Sequence, residues 1–178
     1  VQNPVYPLEK TVAYVNFDIQ GTNLLPSLRE STILVGAETG GRNLVAASQA
    51  ARNASTLDTL MLSLLFGQGR SDHAVLTGVG VPSVFFTDAN NGCYHTVKDD
   101  INAVDFPKLE QQIRTANAIT RDLVTTDSVP LFDATAPVSA YSDAVELLRV
   151  VQLAQSDLGL FPPDQQVAIA QFQLDLHA

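Results

Sequence analysis

A chain of 178 residues that is 46% hydrophobic and only 16% charged has enough apolar content for one domain with a sizeable core, which excludes a disordered polypeptide. Its net charge of −9 argues against nucleic acid or an anionic membrane as the main partner, because both require a basic face. No apolar run approaches the ~20 residues of a membrane span, and the lone cysteine, Cys93, excludes an internal disulfide.

The sequence begins at Val1 without methionine or a signal-like segment, which predicts a processed or excised chain. Residues 1–10 hold two prolines and read as an entry loop. Val12 to Phe17 is a short apolar run without clean alternation, the pattern of a strand covered on both faces. Ser31 to Gly36 is a second such run and Val81 to Thr87 a third. Between them, Arg42 to Asn53 and Leu57 to Phe66 are rich in Ala and Leu and read as helices, with Thr56 as the N-cap of the second. A short helix is predicted after Ser71. Strands separated by helices predict an α/β three-layer sandwich with a mixed, largely parallel central sheet.

After Asp105 the pattern changes. Pro107 suits the first turn of a helix whose apolar face is Leu109, Ile113, Ala116 and Leu123. Thr125 to Pro137 reads as a loop, Ala140 to Leu158 as another helix, and Pro162 opens a last helix running toward His177. The predicted division is 1–125 for the α/β part and 126–178 for a helical extension packed on or beside it.

Four short motifs follow one another in this frame: Asn16-Phe17-Asp18 at a strand end, Ser71-Asp72-His73 before a short helix, Gly80 to Phe86 in a strand, and Tyr94-His95-Thr96 with Asp99 in a loop. Histidine is a common zinc ligand, and a nearby carboxylate orients its ring and raises its basicity. The C-terminal edge of an α/β sheet is where ligands are expected. The order and spacing of these motifs, from about Val12 to about Leu109, resemble the M28 zinc-peptidase family. That family includes secreted bacterial aminopeptidases, glutamate carboxypeptidase-like enzymes and glutaminyl-cyclase relatives. The resemblance implies two zinc ions in an intact site, with Asp18 a terminal ligand of one and His95 a ligand of the other. It implies that Tyr94 donates its hydroxyl to the oxyanion of the tetrahedral intermediate. Two neighbouring zinc ions lower the pKa of a bridging water and clamp both oxygens of the transition state.

The resemblance also implies what is missing. The family's earlier His-x-Asp ligand, its metal-bridging Asp and its Glu-Glu pair all lie upstream of the strand that ends at Asp18. The sequence therefore reads as the C-terminal half of a peptidase domain. One protein ligand per zinc is short of the roughly three that a catalytic site needs. The chain alone is expected to be inactive and to pair with its missing half or with another copy of itself through an unpaired strand edge.

The remaining candidates carry less. Asp72 and His73 are expected in a supporting or substrate-pocket role, and Asp99 beside His95 either as its partner or as a solvated loop charge. Cys93 is expected to be a buried, inert thiol. A Ser71, His95, Asp72 triad lacks a nucleophile-elbow pattern, and Gly36 to Gly41 lacks the Lys-Ser/Thr ending of a phosphate loop. Two functions remain open. One is a zinc exopeptidase, most simply an aminopeptidase acting on peptides and exported to the periplasm or medium by analogy with bacterial relatives. The other is a non-catalytic interaction module, since receptor-type relatives keep the fold and lose metal ligands.

Overall fold

The computed structural model describes residues 3–177. Residues 1 and 2 of the predicted entry loop lie outside them, and Leu8–Lys10 form one turn of 3-10 helix. Four strands build a single sheet: β1 (Tyr14–Phe17), β2 (Ser31–Val35), β3 (Asp58–Leu62) and β4 (Ser83–Thr87), in the order β1-β4-β2-β3. β1 runs parallel to β4, with Tyr14 opposite Ser83 and Phe17 opposite Phe86. β2 runs parallel to β3, and the antiparallel contact between β2 and β4 joins the two pairs. Two of the three pairings are thus parallel.

The alternation of side chains across the sheet defines two cores. On one face, Leu34, Val84 and Phe86 pack against Leu44 and Ala51 of α1 (Gly41–Ala54) and Ala116 and Ile119 of α3 (Phe106–Thr125). On the other, Val35, Leu62 and Phe85 pack against Phe66 and against Leu147 of α4 (Tyr141–Leu153). The short α2 (His73–Thr77) joins this second face, where the His73 ring stacks on Phe85 with centroids 4.4 Å apart. Helices on both faces make the three-layer α/β sandwich. A last helix, α5 (Pro163–His177), lies beside α4 with no buried residue among those described.

The stretch Leu57 to Phe66 is corrected by the structure. It is strand β3 followed by a 3-10 turn over Leu64–Gly67, and not a helix. A short apolar run buried on both faces has no period that separates strand from helix. Here α1 serves as the crossover that returns the chain beside β2 as a parallel partner. Thr56 does not cap a helix; its hydroxyl donates to Gln111 Oε1 at 2.9 Å.

The face that α3 buries also differs from the apolar one. Asp105 caps it, its carboxylate accepting from the Lys108 amide, and Pro107 sits in its first turn. Its buried residues are Lys108, Gln112, Thr115, Ala116 and Ile119, while Ile113 is exposed. The helix turns polar side chains inward because they have buried partners there, described below.

Residues 126–177 attach to the sheet through α4. The buried Asp143 accepts from the Ser63 amide at 2.8 Å, and the buried Glu146 pairs with Arg52 at 2.6 Å. Arg149 bridges Glu146 and Asp58. No helix among the described residues is long and apolar enough to cross a membrane.

Candidate functional site

β1 and β4 are parallel, so their C-terminal ends open at the same end of the sheet. The Asp18 amide donates to Phe86 O at 3.3 Å and the Asp88 amide to Ile19 O at 2.8 Å, which holds the two outgoing segments together past the strands. A cleft of about 360 Å³ opens there, and Asp18, Tyr94, His95 and Asp99 all line it. Asp18, His95 and Asp99 are exposed and Tyr94 is half-buried. Tyr94 and His95 stack, ring centroids 3.8 Å apart.

The backbone around this cleft is strained. Ile19, Ala89 and His95 have φ of 59°, 61° and 58°, in the left-handed region that non-glycine residues avoid. Ile19 is β-branched, which makes it the least suited of the three. Each such residue costs on the order of 1–3 kcal/mol, and strain of this kind clusters where ligands are handled.

The segment that carries Asp18 rests on a buried polar group. Asp88 and Lys108 are each 4% exposed, and Gln112 is fully buried. The Lys108 ammonium lies 3.1 Å from Asp88 Oδ1 and donates to the Thr22 carbonyl at 2.7 Å. Gln112 Nε2 donates to the Asp88 oxygens at 2.7 and 2.8 Å and to Thr32 Oγ1 at 2.9 Å. The Gly21 amide donates to Gln112 Oε1 at 2.9 Å and the Thr22 amide to Asp88 Oδ2 at 3.0 Å. Burial pulls the Lys108 ammonium below its ordinary pKa, and Asp88 opposes that pull. Sequence reasoning missed this group. An available signal was Lys108 and Gln112 at i, i+4 in phase with the buried Ala116 and Ile119, not with the exposed Ile113.

The Asn16 and Ser71 motifs meet. Asn16 Nδ2 donates to Ser71 Oγ at 2.8 Å, so the strand end before Asp18 is tied to the entrance of α2. Tyr14 hydroxyl donates to Asn16 Oδ1 at 3.4 Å, and burial, then the Asp72 carboxylate, raise its pKa. His73 is 1% exposed, and neither of its ring nitrogens has a hydrogen-bond partner. Burial lowers its pKa, while Asp18 and then Asp72 act against that, so the imidazole is within electrostatic reach of Asp18. It faces Phe85 and Gly67 and does not line the cleft of Asp18 and His95. Cys93 is half-buried, not enclosed.

Tyr94 and His95 ride on a run of local turns. Asn91 Oδ1 accepts from the Cys93 amide at 2.8 Å, and the Thr96 hydroxyl donates to the Cys93 carbonyl at 2.7 Å. The Asp99 amide donates to the Thr96 carbonyl at 3.1 Å. Among the described residues, no hydrogen bond joins His95 to Asp99.

Asp18 and His95 are suitable zinc donors by type, a carboxylate and an imidazole. Among the described residues, however, no three His, Cys, Asp or Glu side chains gather closely enough to hold a metal ion. A zinc site takes about three protein ligands, so these residues do not fit a metal by themselves. What they form is one wall of a polar cleft, with two donors and a phenol facing a common space.

No curated protein and no solved structure matches the chain. The model of peptidase family M28 matches residues 1–120, which span all four strands, the cleft and most of α3. The chain belongs to peptidase family M28.

Proposed function

We propose that this chain supplies one wall of the active site of a zinc-dependent exopeptidase, most directly an aminopeptidase that removes residues from peptides. The observation that carries the reading is the convergence of Asp18, Tyr94, His95 and Asp99, from two distant segments, on one cleft at the end of a parallel strand pair. Membership of a peptidase family supports it. In this reading Asp18 and His95 each offer one donor to a separate zinc ion. Tyr94 hydrogen-bonds the oxyanion that develops at the scissile carbonyl, where a fixed donor lowers the barrier most. Asp99 borders His95, and Asp72 and His73 back the strand end that presents Asp18.

The donors and general base that the cleft lacks come from polypeptide docked beside β1, either an upstream segment of the same protein or a second copy. β1 is a sheet edge among the described residues, and Phe17 at its end is exposed beside the cleft. An unpaired edge is a template for another strand. The chain alone therefore does not hydrolyse peptides. Placing the enzyme in the periplasm or medium rests on analogy with exported bacterial members of the family, and the acidic, lysine-poor composition is compatible with it.

The test is zinc per protein and release of amino acid from aminoacyl-anilides, with and without the completing segment. The completed protein should hold about two zinc ions, as two-metal aminopeptidases do, and the chain alone far fewer. His95→Ala in the completed protein should abolish release while the fold stays intact. A completed protein without zinc would overturn the peptidase reading and favour a non-catalytic interaction module. Zinc without amino-acid release would remove the aminopeptidase specificity and leave the metal fold.

A further inference from the structure

The β3 edge of the sheet, opposite the β1 edge, carries a second cleft of about 290 Å³. It is lined by α1 and the turn after β2 from one side, and by α4 and the loop before it from the other. It shares no lining residue with the cleft of Asp18 and His95. Glu38 and Ser63 lie within residues 1–120 and Pro137 and Asp143 beyond them, so the cleft is a seam between the part that matches the family model and the segment that follows.

Three carboxylates line this seam, Glu38, Asp143 and Glu146, against one cation, Arg52. Glu146 takes that cation: Arg52 holds one of its oxygens at 2.6 Å, and Arg149 holds the other at 2.7 Å. Asp143 is 4% exposed and accepts from the Ser63 and Ala140 amides at 2.8 and 2.6 Å. Glu38 Oε1 accepts from the Leu64 amide at 2.6 Å, and Oε2 accepts from no side chain among the described residues. Neither Asp143 nor Glu38 has a cationic partner among the described residues. Burial pushes the Glu38 carboxyl up; the Leu64 amide opposes this and the Asp143 charge adds to it. Two partly desolvated carboxylates with no cation oppose each other's ionisation, and a positive charge placed between them favours both.

A separate observation points into the same space. Ser63 is 6% exposed and lines the cleft, yet its hydroxyl has no hydrogen-bond partner among the described residues and does not cap the turn that follows it. Beside these polar groups the lining is apolar, with Val45 and Met61 on one side and Pro137 on the other.

We propose that this seam binds a primary ammonium group on a short alkyl stem, its head on Glu38 and Ser63 beside Asp143 and its stem against Val45, Met61 and Pro137. An ammonium brings three donors and no acceptor, which suits a carboxylate oxygen and a hydroxyl that both lack partners. A divalent metal is a poorer match, because it needs several oxygen ligands at close range and no three acidic side chains gather that closely among the described residues. A guanidinium is poorer too, since its fork favours both oxygens of one carboxylate and Glu38 Oε1 is already occupied. The site stands apart from the peptidase reading, because it uses none of the residues of that cleft. Free alkylamines and lysine side chains share this chemistry, so the test carries both.

The experiment is a methyl and amide NMR titration of the full chain with n-butylammonium, with Nα-acetyl-L-lysine N-methylamide, and with n-butanol as the uncharged counterpart. Both ammonium compounds should shift the Val45 and Met61 methyl signals and the Leu64 amide to saturation, and n-butanol should not. Glu38→Gln keeps an oxygen for the Leu64 amide and removes the charge. It should weaken n-butylammonium binding about tenfold or more, the loss expected for a hydrogen bond to a charged group. Ser63→Ala leaves the amide bond to Asp143 in place and should weaken binding about threefold, which keeps the test open if Glu38→Gln does not fold. In the unaltered chain, saturating n-butylammonium should lower the pH at which the Glu38 carboxyl carbon titrates, because a cation favours the ionised form. Tighter binding of the lysine derivative assigns the site to lysine side chains, and equal or tighter binding of n-butylammonium assigns it to free amines; either result upholds the ammonium class. Equal shifts with n-butanol, or affinity unchanged in both variants, would overturn the proposal. So would shifts no larger at the seam than at the exposed Asp164 and Asp175, which would mean diffuse attraction to an acidic surface.

Discussion

Asp18 leaves β1 on a segment that the buried Asp88, Lys108 and Gln112 grip from beneath, whereas Tyr94 and His95 sit on a segment that bonds chiefly to itself. The bonds that hold residues 21 and 22 reach partners 91 and 66 positions away in the sequence. Those that hold residues 91–98 reach partners two or three positions away. Both segments face the same cleft. The first is locked by the globular core and opens only when α3 leaves the sheet. The second is expected to open locally, at the low end of the range of opening free energies in one fold. One wall of the cleft is thus held by the buried core, and the other chiefly by its own turns.

The largest effect should come from breaking the buried group. Lys108→Met leaves the Asp88 carboxylate buried without its cation, and removing one partner of a buried pair costs about 3–5 kcal/mol. A urea melt should register that loss. Hydrogen exchange should show the Gly21 and Thr22 amides losing protection together with those of α3, while the amides of residues 93–99 exchange as before. If the 93–99 amides lose protection equally, the two segments form one cooperative unit and the contrast fails.

A second test titrates the same anchor. Asp105 caps α3, accepts from Arg29 Nε at 2.6 Å and from Asn23, and its amide donates to the Gly21 carbonyl at 2.6 Å. The Arg29 guanidinium, with the Lys108 amide and Asn23 helping, holds its carboxyl down to about 2. The unfolded chain titrates this group near ~3.9, so the folded state binds the proton less readily. The contribution is fully present above about pH 4 and is lost as pH falls toward about 2. Asp105→Ala should cost about 1–2 kcal/mol through the lost cap. Asp105→Asn keeps a capping oxygen, so it should cost less while flattening the stability profile between those pH values. A profile unchanged in Asp105→Asn would show that Arg29 does not act on the folded state.

The sequence made parts of this arrangement legible and hid others for physical reasons. β1, β2 and β4 stand out because each is an apolar run bounded by turn residues. β3 does not, since Leu57 to Phe66 carries leucine and methionine, which favour helices, on a stretch whose strand state comes only from pairing with β2. The Asn16 and Ser71 segments were readable as motifs, and the structure joins them by a hydrogen bond no local pattern encodes. Asp88 was illegible because it is an ordinary surface residue when read singly, and Lys108 and Gln112 were legible only through their helical phase with Ala116 and Ile119. Their burial pays off only as a set, through contacts between residues far apart in sequence. The cleft at the β3 edge was hidden for a similar reason: its wall from α4 meets Glu38 and Ser63 only after the last helices fold onto β3.

The smallest expected effect is the most telling for the second segment. Asn91→Ala removes the acceptor of the Cys93 amide, and Thr96→Val removes the hydroxyl that accepts from the Lys98 amide and donates to the Cys93 carbonyl. Both positions lie in a loop that the core does not grip, so each should change global stability by no more than about 0.5–1 kcal/mol. The turn they shape nonetheless sets the backbone of His95, whose φ of 58° is sustained only by its surroundings. Releasing the turn lets His95 relax toward ordinary extended backbone and swings its ring away from Asp18. On the proposed zinc reading, zinc retention by the completed protein should therefore fall far more than the urea midpoint moves. The Lys108→Met variant tests the opposite pairing, since there stability and retention should fall together. Equal losses of stability and retention in Asn91→Ala would mean that the core holds the His95 turn after all, and the two walls of the cleft would then be one.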